Sequence, residues 1–304
     1  MRVHAIVVTH NAQKWVDACV GSLLHSALPV HVIVVDNASS DSTVAYIREH
    51  YPSVELVSMN ENVGFGAANN VGLRLALAGG CDAVYLMNQD AWVHPETLAC
   101  LTKCLEDFPE YGVVSPIHEN RGGTLERGFA EYCGESVGCK YFSDLHKGGG
   151  FVQPVYDIQF VNAAHWLIRR ECLLDVGGFA PVFYHYGEDG NFLQRVWHEG
   201  WKVGICPDAH AVHDRAGRAP SLVRDVQQLY ASYLLFACNP NCPTIRTLPG
   251  AWRRLVVNLL LMDGRTSEIF WEQVENGIRD IPKILATRKI TRSRIQQGQE
   301  GRFL

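Results

Sequence analysis

Three polar residues that end an apolar run, Asn88-Gln89-Asp90, are where this sequence most plainly offers chemistry. The run before them, Ala83-Val84-Tyr85-Leu86-Met87, reads as a strand buried on both faces, as in a parallel sheet. Such sheets bind ligands beyond the carboxyl ends of their strands, so Asp90 stands where a ligand or a metal would sit. A carboxylate there suits a hard divalent ion bridging phosphates; a plain turn is the structural alternative. Glu188-Asp189 open a helix that the pattern extends to His198. The helix dipole favours their ionised forms, and an ionised carboxylate at a cleft can act as a general base. Adjacent helical positions point about 100° apart, so the two cannot share one task. An acidic first turn is also a common structural feature. His213 follows a strand and could ligate a metal opposite Asp90, because imidazole accepts Mn2+ and similar ions; a lone His there is more often structural. His10, His185 and His210 are weaker candidates.

The elements that must position these residues alternate from the first residue onward. His4 to Thr9 is a strand rich in β-branched residues and ends in Thr9-His10-Asn11. A helix over Trp15 to Ser26 leads to a second strand, Val30 to Val35, ending in Asp36-Asn37. A helix capped by Ser40 or Asp41 follows, then a strand from Val54 to Met59, a loop, and a helix from Ala67 to Ala78 stopped by Gly79-Gly80. This alternation implies a parallel sheet with right-handed crossovers. Three strands then end in polar clusters along one edge, which turns alone explain poorly. The edge lacks the Gly-x-Gly-x-x-Gly turn of dinucleotide folds and the phosphate loop of NTPases. It offers amides and carboxylates, which suit a nucleobase and ribose, while Gly64 and Gly66 before a helix allow close approach of an anion.

Beyond Asp90, the pattern predicts a helix from Pro95 to Asp107 and a short strand from Gly112 to Pro116. Residues 117 to 155 lose periodicity and gain glycine, including Gly148-Gly149-Gly150, and read as part of an acceptor pocket or lid. Strand character returns from Ile158 to Ala164 and on through Ile168, followed by a short helix from Arg170 to Val176. From Ser221 the chain is expected to be helical, with further amphipathic stretches at Trp252 to Met262 and Ile278 to Ile290.

Apolar residues make up 47% and charged residues 19% of 304, a composition of soluble globular proteins. A net charge of −5 argues against a nucleic-acid partner. The charge is uneven: from Arg246 onward there are 11 Lys and Arg against 6 Asp and Glu. A solvated helical face accounts for that tail; peripheral contact of Arg279, Lys283, Arg288, Lys289, Arg292 and Arg294 with anionic lipid is the functional alternative. Met1-Arg2 leads directly into a strand pattern, so a cytoplasmic protein without a leader is expected. The ten cysteines lack zinc-finger spacing and are expected to be free buried thiols.

The pieces in this order resemble family 2 glycosyltransferases, inverting enzymes of the GT-A fold, over about residues 3 to 215. Within the family the similarity is to rhamnosyltransferase-like and galactofuranosyltransferase-like members. It is carried by Asn62-Val63-Gly64-Phe65-Gly66-Ala67-Ala68-Asn69-Asn70-Val71-Gly72, by Val34-Val35-Asp36-Asn37-Ala38-Ser39-Ser40-Asp41, and by Gly187-Glu188-Asp189 with Phe192 and Arg195. The resemblance implies a GT-A domain over 1–218, a mostly parallel twisted sheet flanked by helices, with a helical C-terminal extension over 219–304. It implies that Thr9, Asn11 and Asp36 surround the base and ribose, and that Asn62 and Asn69 line the donor site. Asn88-Gln89-Asp90 stands in for an Asp-x-Asp motif, with Asp90 on a divalent metal (Mn2+ or Mg2+), His213 completing its coordination and Asp189 as catalytic base beside Glu188. Asn88 replaces the first acid of that motif, Asn191 an acid often seen after the Glu-Asp pair, and Asn69 an Arg of many members.

The implied donor is a nucleoside diphosphate sugar (dTDP- or UDP-linked) and the acceptor a saccharide or lipid-linked saccharide of bacterial cell-surface polysaccharide or glycolipid synthesis. A sugar nucleotidyltransferase and a catalytically inactive sugar-nucleotide-binding protein are the competing readings. The first would want a Gly-rich, basic loop after the first strand, and the second sits poorly with an intact Glu188-Asp189 pair.

Overall fold

A computed structural model of the chain describes residues 1–135, 140, 144, 153–215, 221–262, 266–293 and 303–304. Strands β1 (Val3–Thr9), β2 (His31–Asp36), β3 (Glu55–Ser58) and β4 (Ala83–Asn88) pair in parallel in the order β3-β2-β1-β4. Helices α1 (Val16–Leu24), α2 (Thr43–His50) and α3 (Phe65–Ala78) make the crossovers. Both faces of this sheet are covered, which is why its inner strands read as unbroken apolar runs. Ile6, Val8, Ile33 and Val35 pack with Ala68, Leu73 and Ala76 of α3. The alternate residues Ala5, Val7, Val32 and Val34 pack with Val16, Val20 and Leu23 of α1.

The second half of the sheet is mixed. β5 (Ala91–Val93), β6 (Tyr111–Glu119), β7 (Tyr156–Asp157), β8 (His165–Arg169) and β9 (Lys202–His213) complete nine strands in the order β3-β2-β1-β4-β8-β6-β9-β5, with β7 on β9. β8 is antiparallel to both β4 and β6, β9 is parallel to β6, and β5 is antiparallel to β9. Between them lie α4 (Thr97–Asp107), α5 (Arg127–Glu135), α6 (Arg170–Val176) and α7 (Glu188–His198). The register sets the ligand edge: Thr9 lies beside Asp36, Val8 beside Asn88, and Met87 beside His165. The twisted sheet with flanking helices matches the expected fold class, and the half beyond β4 is mixed where a mostly parallel sheet was expected.

Four expectations need correction. The strand expected over Ile158 to Ala164 is instead a non-strand segment between β7 and β8, and its Ala164 carbonyl accepts from Asn88 N at 3.1 Å. The supposedly irregular 117–155 holds the end of β6 and the helix α5; Gly148-Gly149-Gly150 lies outside the described residues. Not every cysteine is free: α4 packs on β9 and brings Cys104 to Cys206 as a disulfide, while Cys19, Cys81, Cys100, Cys133, Cys172, Cys238 and Cys242 are unbridged.

The fourth correction concerns the tail. Helices α8 (Leu222–Cys238), α9 (Thr244–Leu261), α10 (Ser267–Arg279) and α11 (Ile281–Arg292) share a core with Ala180 and Phe183. The chain breaks at Asp280, so 278–290 is not one helix. Arg288 is buried instead of facing solvent. Its guanidinium donates to the Ala237, Asn239 and Cys242 carbonyls, and so closes the open end of α8. Arg292 donates to the Pro240 and Cys242 carbonyls. Arg294 lies outside the described residues. Among the described residues no helix is long and apolar enough to cross a membrane.

Removing the guanidinium strands three carbonyls that lie at the α8 exit. Arg288→Met is therefore expected to lower stability by about 3 kcal/mol or more, since charge-assisted bonds contribute roughly 1.5–3 kcal/mol each. Thermal and urea melts of the variant against the parent check this.

Candidate functional site

A cavity of about 620 Å³ opens at the carboxyl edge of the sheet. The ends of β1, β2 and β4 supply Val8, His10, Asn37, Asn88, Gln89 and Asp90; the turn before α3 supplies Asn62, Gly64 and Phe65. The approach to β8 adds Asn162 to Ala164, and the turn entering α7 adds Tyr184 to Asp189. Arg215 beyond β9 and Arg224 and Gln227 of α8 close the wall.

The loops around it are tied by side-chain amides. Gln89 accepts from His10 N at 2.7 Å and donates to the His10 carbonyl at 3.3 Å, stitching the tip of β4 to that of β1. Asn37 donates to Asn62 Oδ1 at 2.9 Å and accepts from Val63 N at 2.9 Å. Gly64 caps α3 at φ +86°, and an added Cβ would run into the Tyr184 carbonyl oxygen. That contact packs the two turns together and admits no side chain. Asn11, Ala38 and Tyr186 hold positive φ values of 50°, 60° and 68°, all in turns beside the cavity, where such strain commonly gathers.

The expected site residues divide into two groups. Asn62, Asn88, Gln89, Asp90, Glu188 and Asp189 share the cavity wall. Thr9, Asn11, Asp36 and Asn69 do not line it. Asp36 is buried and accepts from Thr9 Oγ1 at 2.9 Å and Ser39 N at 2.9 Å. Asn11 Oδ1 accepts from Ser40 N at 2.9 Å, and Asn69 donates back to the Phe65 carbonyl at 3.0 Å. Thr9, Asn11 and Asp36 brace the turns that carry the wall, while the Asn69 bond stays within α3. His210 pairs with Glu119 at 2.8 Å, and His185 lies on the cavity wall.

His213 is fully buried behind Asp90, its Nε2 at 3.5 Å from Asp90 Oδ1 and at 3.5 Å from Asn88 Nδ2. Asn88 Oδ1 is a buried acceptor with no hydrogen-bond partner. A carboxylate and an imidazole nitrogen this close, beside a buried amide oxygen without a partner, fit a divalent ion such as Mn2+ or Mg2+. Separations of 3.5 Å are short enough for two atoms to bind one ion at about 2.1 Å each.

The two carboxyls at the start of α7 differ. Burial pushes Glu188 up to about 8, with the Asp189 charge adding to it, and Glu188 Oε2 is buried without a partner. Burial also raises Asp189, but Gly190 N at 2.7 Å, the positive charge of Arg215 and the Ala163 N–H all favour its ionised form. Asp189 is thus the member that ionises first, with Glu188 its neutral neighbour.

Asn162, Arg215, Arg224 and Gln227 are wall residues that sequence reasoning missed. Arg215, two places past His213, carried a signal: a cation at the exit of a strand that ends beside an acidic tip. Arg224 and Gln227 carried none, because helical spacing places them among solvent-facing positions.

Comparison with known proteins identifies the family and the fold. The sequence model described as Glycosyl transferase family 2 matches residues 4–177. An N-acetylglucosaminyl-diphospho-decaprenol L-rhamnosyltransferase of Mycobacterium tuberculosis is 23% identical over 239 residues, 71% of this chain and 78% of that protein. The dTDP-rhamnosyl transferase RfbF of Shigella flexneri is 25% identical over 213 residues, 69% of this chain and 68% of that protein. Among solved structures, the mannosyltransferase PcManGT of Pyrobaculum calidifontis in complex with GDP-Man and Mn2+ superposes with a TM-score of 0.60 at 20% identity, covering 95% of this chain and 84% of that one. TarS 1-349 of S. aureus in complex with UDP-GlcNAc gives a TM-score of 0.60 at 14% identity, covering 96% and 90%.

The raised Glu188 has a consequence for stability. Below about pH 4.5 the carboxyl is protonated in both folded and unfolded chains, and no penalty arises. As pH rises toward about 8 the unfolded chain ionises while the folded chain resists, so stability falls across that window. Glu188→Gln is expected to flatten this fall, melting above the parent near pH 8 and close to it near pH 5, as read from thermal melts of the ligand-free protein.

Proposed function

Because the chain belongs to glycosyl transferase family 2 and has the GT-A fold, we propose that it moves a sugar from a nucleoside diphosphate donor to an acceptor hydroxyl, with inversion at the anomeric carbon. The observation that carries this reading is one cavity holding both Asp90, with Asn88 and His213 beside it, and Asp189. Asp90 and His213 would hold the donor's divalent ion, with Asn88 Oδ1 as a further oxygen. When bound, that ion neutralises the diphosphate and stabilises it as a leaving group. Arg215 adds a fixed positive charge at the same wall for the diphosphate oxygens. Asn37 and Asn62 face the base side, and Thr9, Asn11 and Asp36 brace the turns that position them.

Asp189 takes the proton from the acceptor hydroxyl as its oxygen attacks the anomeric carbon. Glu188, neutral at the same pH, offers a hydrogen instead of competing for that proton. Tyr184 and Tyr186 border the cavity and limit water around the reacting carbon.

Two relatives are named rhamnosyltransferases, so dTDP-rhamnose is the first donor to test, with UDP-sugars after it. A polyprenyl-diphosphate-linked saccharide is the acceptor class that the mycobacterial relative's name supports. Such an acceptor would place the protein at the inner membrane face, where exposed Trp271, Ile278 and Leu285 lie near Arg279, Lys283 and Lys289 on α10 and α11. Failure to co-sediment with anionic vesicles would remove this last element.

A thermal-shift screen of dTDP- and UDP-sugars with and without Mn2+ identifies the donor. With it in hand, Asp189→Asn is expected to lower transfer by about 10²- to 10⁴-fold while donor affinity stays within a few-fold. Retained turnover would exclude Asp189 as the base. Arg215→Ala is expected to raise the donor Kd by about tenfold or more, the effect of losing a charge-assisted bond to phosphate.

A further inference from the structure

Behind Asp90 lies a second set of metal-ligating groups, which shares only His213 with the donor reading. His118 near the end of β6, Glu126 at the entry to α5 and His213 at the end of β9 are all buried, and one ligand atom of each lies within 4.8 Å of the other two. His118 Nε2 lies 3.0 Å from Ser115 Oγ, a hydroxyl that can donate or accept. The buried His118 Nδ1 has no hydrogen-bond partner. His213 Nε2 faces both Asp90 Oδ1 and Asn88 Nδ2 at 3.5 Å, and its buried Nδ1 has no hydrogen-bond partner. Glu126 is fixed by Phe129 N, which donates to its Oε2 at 2.8 Å.

Two buried, unpartnered imidazole nitrogens beside a carboxylate form the donor set of a borderline divalent ion. Asp90 would then stand where carboxylates stand behind ligating histidines, accepting from the remote N–H and orienting the ring. Arg215 counts both Glu126 and Asp90 among its charge partners.

We propose that His118, Glu126 and His213 form a cation site of their own, inside the wall of the donor cavity and suited to an imidazole-seeking ion such as Zn2+ or Co2+. It depends on the glycosyltransferase reading only in sharing His213. An ion on Nδ1, with Nε2–H on Asp90, withdraws His213 from the donor's ion and leaves Asp90 as that ion's anchor. The inner site therefore acts as a selector of which metal the enzyme works with.

The test uses chelator-stripped full-length protein without sugar nucleotide. After loading with Zn2+ and gel filtration, the parent should retain about one ion per chain by elemental analysis. His118→Gln and Glu126→Gln should each weaken retention by about tenfold or more, the scale seen when a group that supports a metal site is lost. Asp90→Asn, which keeps a side-chain oxygen beside the His213 ring, should weaken Zn2+ retention less than either ligand variant while losing Mn2+-dependent donor binding. Cu2+, the strongest-binding ion of the series, serves as a spectroscopic probe, and its EPR hyperfine pattern should count two imidazole nitrogens in the parent. That count needs no variant, so a His118→Gln that fails to fold does not decide the matter. A single imidazole on Cu2+, or Zn2+ retention abolished by Asp90→Asn and untouched by Glu126→Gln, would place the ion at the donor site and overturn the proposal. Absence of sugar-nucleotide binding would overturn the donor reading and leave the Zn2+ and Cu2+ results standing.

Discussion

The chemistry of this chain depends on a three-residue antiparallel pairing, β5 on β9. It sets Ala91 opposite His213, and Asp214 N donates to the Asp90 carbonyl at 2.8 Å. A short strand beyond the tip of β4 has little to hold it by itself. Here it is held by β9, which is paired with β6 along most of its length. Asp90 is thereby fixed against a histidine far along the chain, and Asn88 and His213, 125 residues apart, come within 3.5 Å. Side chains locked in this way need little rearrangement when a charged ligand arrives, which is where electrostatic preorganisation gains its strength.

The second carboxylate pair is positioned by backbone strain instead of by sheet pairing. Tyr186 and Gly187 both hold positive φ, turning the chain so that α7 begins at the cavity. At φ +82° Gly187 disfavours any side chain, and a Cβ there would press on Phe183 and Ala231 at 3.2 and 3.3 Å. The helix start then presents two acids in unlike surroundings. Burial and the adjacent Asp189 charge hold Glu188 in its neutral form, while Asp189 has N–H donors and the charge of Arg215. One helix turn so presents two carboxyls of unlike acidity without a second element.

Strand tips and helix starts were legible because their signals are local. The apolar run before Asn88 and the glycines before α3 each sit within a few residues of the feature they mark. The mixed half of the sheet was not legible. β5 is three residues long, and β8 runs antiparallel between β4 and β6, a choice that no periodicity encodes. The glycine-rich stretch hid α5 because Arg121-Gly122-Gly123 precedes it, and composition averaged over a window masked nine helical residues. Arg288 failed as a surface cation for a related reason. Its position in a basic segment gave no sign that three carbonyls at the end of α8 would draw it inward. Sequence placed Thr9 and Asp36 at the right edge, yet their side chains close on each other, a pairing that only the register of β1 with β2 determines.

The C-terminal helices are part of the site. α8 rests on the turn entering α7, with Leu235 about 3 Å from where a Cβ on Gly190 would lie, and its core is shared with Ala180 and Phe183. From there Arg224 and Gln227 reach the cavity wall. The family match ends at residue 177, so Asp189, His213, Arg215 and these two helical residues all lie beyond it. The matched part carries the tips of β1, β2 and β4 with Asp90, and the part beyond it carries Glu188-Asp189, Arg215 and the α8 wall. On the proposed reading, a change on α8 alters which hydroxyl reaches Asp189 without disturbing the strands that fix Asp90, and this is how one sheet can serve many acceptors.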